Sequence, residues 1–229
     1  MKNSFLKENE RLDDLERDNL FVIQDKTKYC FSVDSVLLSD FVKLQSEDDA
    51  LELCSGCGVV SILVNAKCHP NSIVGLELNK DLFDMSVRSL EYNKINNLSF
   101  VNGDIKDYKN IFGNKKFDAI FSNPPYLKPL NDMSKVNPKF YSTKYETTLS
   151  LRELLSASSY LLKGSGRLYL IYSAPRLQEL LSCALSHKLF LKSQQNVFFK
   201  SSSSCALVLC EFVKKPCSVD ILSPIVLNT

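Results

Sequence analysis

The chain is poor in the residues and patterns that several common functions require. It has two histidines in 229 residues, His69 and His187. Neither lies in a triad-like neighbourhood, so histidine-based nucleophilic catalysis has no anchor. No apolar run approaches the roughly 18 residues a membrane helix needs. The opening "MKNSFLKENERLDDLERD" is too charged for a secretory signal, and a cytoplasmic protein is expected. Charge of either sign is not in excess. A formal net charge of +2 neither demands nor excludes a nucleic-acid partner. Internal repeats and long linkers are absent as well.

Cysteine, by contrast, is plentiful. The eight thiols are scattered and mostly in apolar context, which suits reduced core residues rather than a disulfide framework. Cys54 and Cys57 have C-x-x-C spacing, with Cys68 and His69 following. A zinc or redox site is conceivable there, but the pair lies inside a glycine turn with its own explanation, and no metal is expected. The 45% hydrophobic content suits one globular domain with a sizeable core.

Short apolar runs alternate with helical periodicity along most of the chain. After the polar start, "NLFVIQDKTKYCF" reads as a hairpin or extended segment. A helix is predicted from about Val33 to Leu44, capped by Ser32 or Asp34. Strands are predicted at "DALEL", "SIVGLEL", "LSFVN" and "KFDAIFS". The helix after the second strand has Asn79 as its cap. "TTLSLRELLSASSYLLKG" reads as a helix closed by Gly164, "GRLYLIYS" as a strand, and "APRLQELLSCALSHK" as a helix with Pro175 in its first turn. "LFLKSQQNVFFKSSSSCALVLCEFVK" reads as two strands joined by a serine-rich turn, an antiparallel edge on a parallel sheet. The tail has no clear pattern. Residues 1–45 are expected to form an N-terminal extension and 46–229 the main domain. The alternation predicts a doubly wound α/β sheet, whose ligands bind beyond the carboxyl ends of the strands.

Four polar loops then share one face. In "ELCSGCG", Gly56 and Gly58 let the backbone approach a ligand, and the helix behind favours a carboxylate or phosphate. Glu52 ends the first strand. Glu77, at the end of the second, can accept both hydroxyls of a ribose. Asp104 can accept from an adenine amino group or simply cap the next turn. A dinucleotide would want G-x-G-x-x-G, but Ser61 holds the third glycine's place. S-adenosylmethionine has no pyrophosphate and tolerates that. These loops alone leave the choice open.

"SNPPY" decides it. An exocyclic amine on an aromatic ring is a poor nucleophile because its lone pair is delocalised. The Asn123 side-chain carbonyl and the Pro124 backbone carbonyl can accept both N–H bonds, drawing the nitrogen toward tetrahedral geometry. Pro124 and Pro125 hold that carbonyl in place, and Tyr126 offers a flat face for a planar base or amide. Positioning and stabilisation of charge on the amine would supply the rate gain.

Over nearly its whole length the sequence resembles the class I S-adenosylmethionine-dependent methyltransferases. The resemblance implies a Rossmann-like, seven-stranded, mostly parallel sheet with an antiparallel C-terminal strand. Within the superfamily, N-P-P-Y marks enzymes that methylate planar nitrogens. "ERLDDLERDNLFVIQDKTKYCFSVDSVLLSDF" and the ending "VDILSPIVL" are similar to the branch that makes N6-methyladenine at adenine 37 of valine tRNA. The glycine loop departs from the commoner form by having Cys54 at the first glycine. By that resemblance Asn123, Pro124, Pro125 and Tyr126 match the catalytic turn. Glu52, Gly56, Gly58, Glu77, Asp104 and Asn123 match the cofactor loops, and Phe31 and Asp34 match a segment closing over the cofactor's methionine end. Tyr29 fits there or in packing.

The stretch "LKPLNDMSKVNPKFYSTKYETT" interleaves Lys128, Lys135, Lys139 and Lys144 with Phe140, Tyr141 and Tyr145. That suits a loop meeting RNA phosphates and a splayed base, or a solvated surface. The expected activity is adenine-N6 methylation of tRNA by a monomer. Two rivals remain: a glutamine methyltransferase acting on a release factor, and an RNA-binding module without activity. Only 51 residues precede Glu52, which disfavours the helical domain of the first. A target-recognition domain of the kind DNA adenine methyltransferases carry would also lack room.

Overall fold

The structure, a computed structural model, describes residues 5–28, 30–130, 132–137, 141–200 and 204–228. Strands β1 (Glu10–Asp14) and β2 (Phe21–Asp25) form an antiparallel hairpin with Leu12 opposite Ile23. Helix α1 (Val33–Phe41) leads into an alternating run: β3 (Asp49–Leu53), α2 (Val59–Cys68), β4 (Ser72–Glu77), α3 (Lys80–Asn93), β5 (Leu98–Asn102), α4 (Tyr108–Phe112) and β6 (Phe117–Ser122). After α5 (Tyr141–Lys144) come α6 (Leu151–Leu161), β7 (Leu162–Ser173), α7 (Leu177–Ser186), β8 (Phe190–Phe199), β9 (Cys205–Val213) and β10 (Asp220–Leu227).

The main sheet has the order β10-β8-β9-β7-β6-β3-β4-β5. Its pairings are parallel except those of β9, which runs antiparallel to both β7 and β8. The chain winds outward from β3 through β4 to β5, then returns to the other side of β3 as β6. That reversal opens a crevice at the carboxyl ends of β3 and β6.

The strands are apolar on both faces because helices cover both. Leu51, Leu53, Ile120, Leu168 and Leu170 pack with Leu154, Leu155 and Leu161 of α6 and Leu180 of α7. Their neighbours in the alternation, Ala50, Ala119, Phe121, Tyr169 and Ile171, pack on the other side with Leu38 of α1 and Ile62 and Val64 of α2. The hairpin is fastened to α3: the Ile23 N–H donates to Ser89 Oγ (2.9 Å), the Phe21 N–H to Asn93 Oδ1 (2.9 Å), and Arg88 forks onto Glu10. Val22 and Ile23 join Cys57, Val59, Leu63, Leu82 and Met85 in a third apolar cluster.

Several expectations shift. The hairpin's first strand comes from the charged "ERLDD", read from sequence only as a polar start. Helix α1 stops at Phe41, because Val42 turns extended while its N–H still bonds Leu38. Gly164 does not close α6. The helix ends at Leu161, Leu162 is already extended, and Gly164 sits inside β7, where the register with β6 slips between Phe117 and Ala119. Asn79 caps α3 as predicted, accepting from the Asp81 and Leu82 N–H groups. Ser32 occupies the N-cap position of α1 without a side-chain cap bond. The patternless tail supplies β10, an edge strand parallel to β8 and the eighth of the sheet.

Candidate active site

A cavity of about 420 Å³ lies at the crevice. Its floor is fixed by Ser122, whose Oγ donates to the Leu53 carbonyl (2.6 Å) and so ties the ends of β6 and β3 together. From β3 the chain enters the turn with Cys54 and Gly56 in the left-handed region, at φ 61° and 56°. A Cβ on Gly56 would meet nothing within 4 Å, and the residue faces the cavity. Gly58 behaves differently from expectation: it does not line the cavity. It sits at φ +86°, and a Cβ there would come within 2.5 Å of the Phe100 ring. Its missing side chain accommodates Phe100 of β5 and Ser86 of α3. Cys54 is half-buried and Cys57 buried; desolvation raises the first thiol and pushes the second up to about 12.

Three expected carboxylates reach the cavity wall. Glu77 is 8% exposed and already holds two backbone donors, Gly56 N–H (2.7 Å) and Asn79 N–H (2.8 Å), one on each oxygen. Burial raises its pKa, and those N–H groups oppose the rise. Each oxygen keeps a further lone pair for a ligand hydroxyl. Glu52 is 1% exposed and accepts from both the N–H (3.0 Å) and the Oγ of Ser61. Desolvation pushes its carboxyl up to about 8, and the nearby Glu77 charge adds to that. Ser61, which spoils a dinucleotide fingerprint, is thus the partner of Glu52. Asp104 caps the turn after β5, accepting from the Lys106 N–H (2.9 Å), while also lining the cavity.

The opposite wall is the proline turn. Pro124 and Pro125 are buried and Asn123 and Tyr126 half-buried. The Asn123 amide nitrogen reaches Ser35 Oγ at 3.4 Å, which turns its Oδ1 away from α1. The Tyr126 hydroxyl donates to Asp34 Oδ2, so this acid engages the turn and not a helix cap. Phe31 and Asp34 both line the cavity. Gln24, in the amide orientation that satisfies both its ends, donates to Asp13 (2.7 Å) and accepts from the Phe31 N–H (2.9 Å). The hairpin thereby holds Phe31 and the residues after it on the cavity lining.

Of the lysines, Lys144 lines the cavity. Lys128 and Lys135 do not; they are exposed and pair with Glu179 (3.1 Å) and Asp132 (3.6 Å). Tyr29, Lys139 and Phe140 lie outside the described residues. Sequence reading missed four further features. Phe199, Ala206 and Leu207, from the β8–β9 hairpin, complete the wall. Ser32 and Ser55 carry the buried side-chain oxygens without a partner among the described residues, and both line the cavity. Ser35 orients Asn123. Arg176 and Glu146 brace the proline turn from behind, with Arg176 donating to the Tyr126 carbonyl (2.8 Å). A serine beside the glycines was the one legible signal; the others lack any motif.

Orphaned buried hydroxyls cost free energy unless a ligand supplies partners. Two of them, a buried ribose-ready carboxylate and an open glycine turn facing a cavity of nucleoside size fit S-adenosylmethionine.

Comparison with known proteins agrees. Residues 32–196 match the methyltransferase small domain family. The chain belongs to that family, within the class I S-adenosylmethionine-dependent methyltransferases. It is 27% identical over 142 residues to a tRNA1(Val) (adenine(37)-N6)-methyltransferase of Porphyromonas gingivalis, covering 61% of this chain and 55% of that one. A protein of the same name from a Flavobacteriaceae bacterium is 24% identical over 192 residues, covering 83% and 80%. Among solved structures, M. jannaschii TYW2 in complex with AdoMet superposes with a TM-score of 0.60 at 14% identity, covering 91% of this chain and 88% of that chain.

Proposed function

We propose that this chain methylates the exocyclic N6 amine of an adenine in tRNA, with adenine 37 of valine tRNA as the specific target. The observation that carries the reading is the Asn123–Tyr126 turn. Among the described residues nothing donates to Asn123 Oδ1, and the turn opens onto the same cavity as Glu77. The names of the two relatives that match over 142 and 192 residues support the nucleotide, while a release factor glutamine methyltransferase matches over only 85.

Glu77 would hold the cofactor's ribose and Asp104 its adenine amino group. The Ser55–Gly56 turn, Glu52, Phe31 and Asp34 would hold the methionine end. When bound, S-adenosylmethionine supplies an electrophilic methyl group. Asn123 Oδ1 and the Pro124 carbonyl each accept one N–H of the target amine, which draws the nitrogen toward tetrahedral geometry and its lone pair out of conjugation with the ring. The same two carbonyls stabilise positive charge as it develops there, so no base is needed beforehand. Tyr126 gives the base a flat face, and Phe199 stands on the cavity wall contributed by the β8–β9 hairpin. Both rings exclude water. Lys128, Lys135, Lys139 and Lys144 would meet RNA phosphates.

Methyl-labelled S-adenosylmethionine incubated with the full chain and a lysate from cells lacking the gene tests this. Label is expected in small RNA as N6-methyladenosine, and Asn123→Ala should lower the rate about 100-fold. Label in protein would replace this reading with glutamine methylation, and cofactor binding without transfer would replace it with a binding module.

A further inference from the structure

The proline turn does not hold itself in place. Arg176 lies in the single 3₁₀ turn Ala174–Arg176 between β7 and α7. All five of its N–H donors are used, which is the full capacity of a guanidinium. Nη1 donates to the Tyr126 carbonyl (2.8 Å) and to Glu146 Oε1 (2.8 Å). Nη2 donates to Glu146 Oε2 (3.1 Å) and Glu179 Oε1 (2.6 Å), and Nε to Glu179 Oε2 (3.1 Å). The Tyr172 hydroxyl donates to Glu146 Oε1 (2.7 Å). Its ring lies 5.2 Å from the guanidinium carbon and meets the Tyr126 ring edge-on at 5.9 Å. The Arg176 and Glu146 side chains are 10% and 12% exposed.

Glu146 is also where the lysine-rich loop returns. Its N–H donates to the Leu127 carbonyl (2.9 Å), and the Leu127 N–H donates to the Lys144 carbonyl (2.9 Å). Residues 127 and 144–146 therefore form a closed neck, with the loop beyond it. Arg176 grips the entering strand of that neck through Tyr126 and the leaving strand through Glu146. The two prolines fix φ within the turn, and Ser35 and Asp34 hold the side chains of Asn123 and Tyr126 on its front. The Arg176 fork adds a hold on the backbone, at the carbonyl next to the ring.

Resting on the function proposed above, we infer that Arg176, Glu146 and Tyr172 form a positioning cluster. It aims the amine-accepting turn and clamps the substrate loop to it, without touching cofactor or substrate. A buried fork of this kind is specific to arginine, since an ammonium has three donors and no planar geometry.

The test uses the full chain with Arg176→Lys, Glu146→Gln and Tyr172→Phe. Hydrogen exchange without RNA should show faster exchange at the Leu127 and Glu146 amides in all three, most in Arg176→Lys. With the acceptor that the labelling experiment identifies, kcat of Arg176→Lys should fall about 100-fold while cofactor Kd stays within about twofold. Tyr172→Phe, which deletes one hydroxyl and should fold, should lose about threefold to tenfold. Wild-type exchange at both amides, or wild-type kcat in folded variants, would overturn the cluster's role. Weakened cofactor binding in parallel with kcat would overturn it too, by making the effect structural. The exchange result judges the clamp even if the acceptor proves not to be tRNA.

Discussion

Glu52 is a carboxyl whose chemistry was set by burial rather than by its neighbours in sequence. At 1% exposure, desolvation pushes its pKa up to about 8. Between its ordinary value and about 8 the folded chain binds more protons here than the unfolded chain does. Its contribution to stability is therefore full at acid pH and is lost as pH rises toward 8. At about 1.4 kcal/mol per pKa unit the loss is on the order of a few kcal/mol. Glu52→Gln cannot ionise, so its melting temperature relative to wild type should rise from pH 5 to pH 8.5 and level off above. Parallel curves across that range would show that the carboxyl is ionised throughout. Tyr126 teaches the same lesson from the other side. Its place in the motif was legible, yet its hydroxyl partner Asp34 lies 92 residues earlier.

Elements that carry their own start signals were the ones readable from sequence. Helix α6 opens on a capping box in which Ser150 Oγ accepts from the Glu153 N–H (3.3 Å), and Glu153 accepts from the Ser150 N–H (2.8 Å). Ser150→Ala should cost about 1 kcal/mol, read as a lower urea midpoint at unchanged slope. No shift in midpoint would mean that packing of Leu151, Leu154 and Leu155 sets the helix end alone. The ends of elements were less legible. Gly164 looked like a helix stop, but a glycine also fits the irregular register where β7 meets β6. Strand β1 had no apolar alternation to announce it; Arg88 on α3 holds it through Glu10.

At the scale of the molecule, the near-neutral charge matters for how RNA would be met. Lys128 and Lys135 are paired with Glu179 and Asp132, so moving onto phosphates would exchange one partner for another and weaken the net gain. Each neutralised phosphate adds close to one unit of slope to the logarithm of affinity against the logarithm of salt. A shallow slope, about −3 or less in magnitude, is expected for tRNA binding measured from 50 to 200 mM salt. A slope steeper than about −6 would mean that another face, outside the lysine loop, carries the RNA. The sheet's order explains why one crevice gathers these loops: the chain reverses between β3 and β6, whose carboxyl ends stay paired while the loops that follow them diverge.

Constraints that act within a few residues were determined by the sequence alone. Proline removes a ladder donor, so "SNPP" had to end a strand; glycine permits the turn after β3; alternating apolar runs required a sheet covered on both faces. The tertiary structure decided the rest, because the remaining partners are far apart and share no pattern. It placed Gly58 against Phe100 and not against the cavity, and brought Phe199 to the cavity wall. It set Arg176 behind Tyr126, 50 residues away, with Glu146 closing the fork. Such contacts form only when the sheet is assembled, since each depends on the register of strands that the local sequence does not encode.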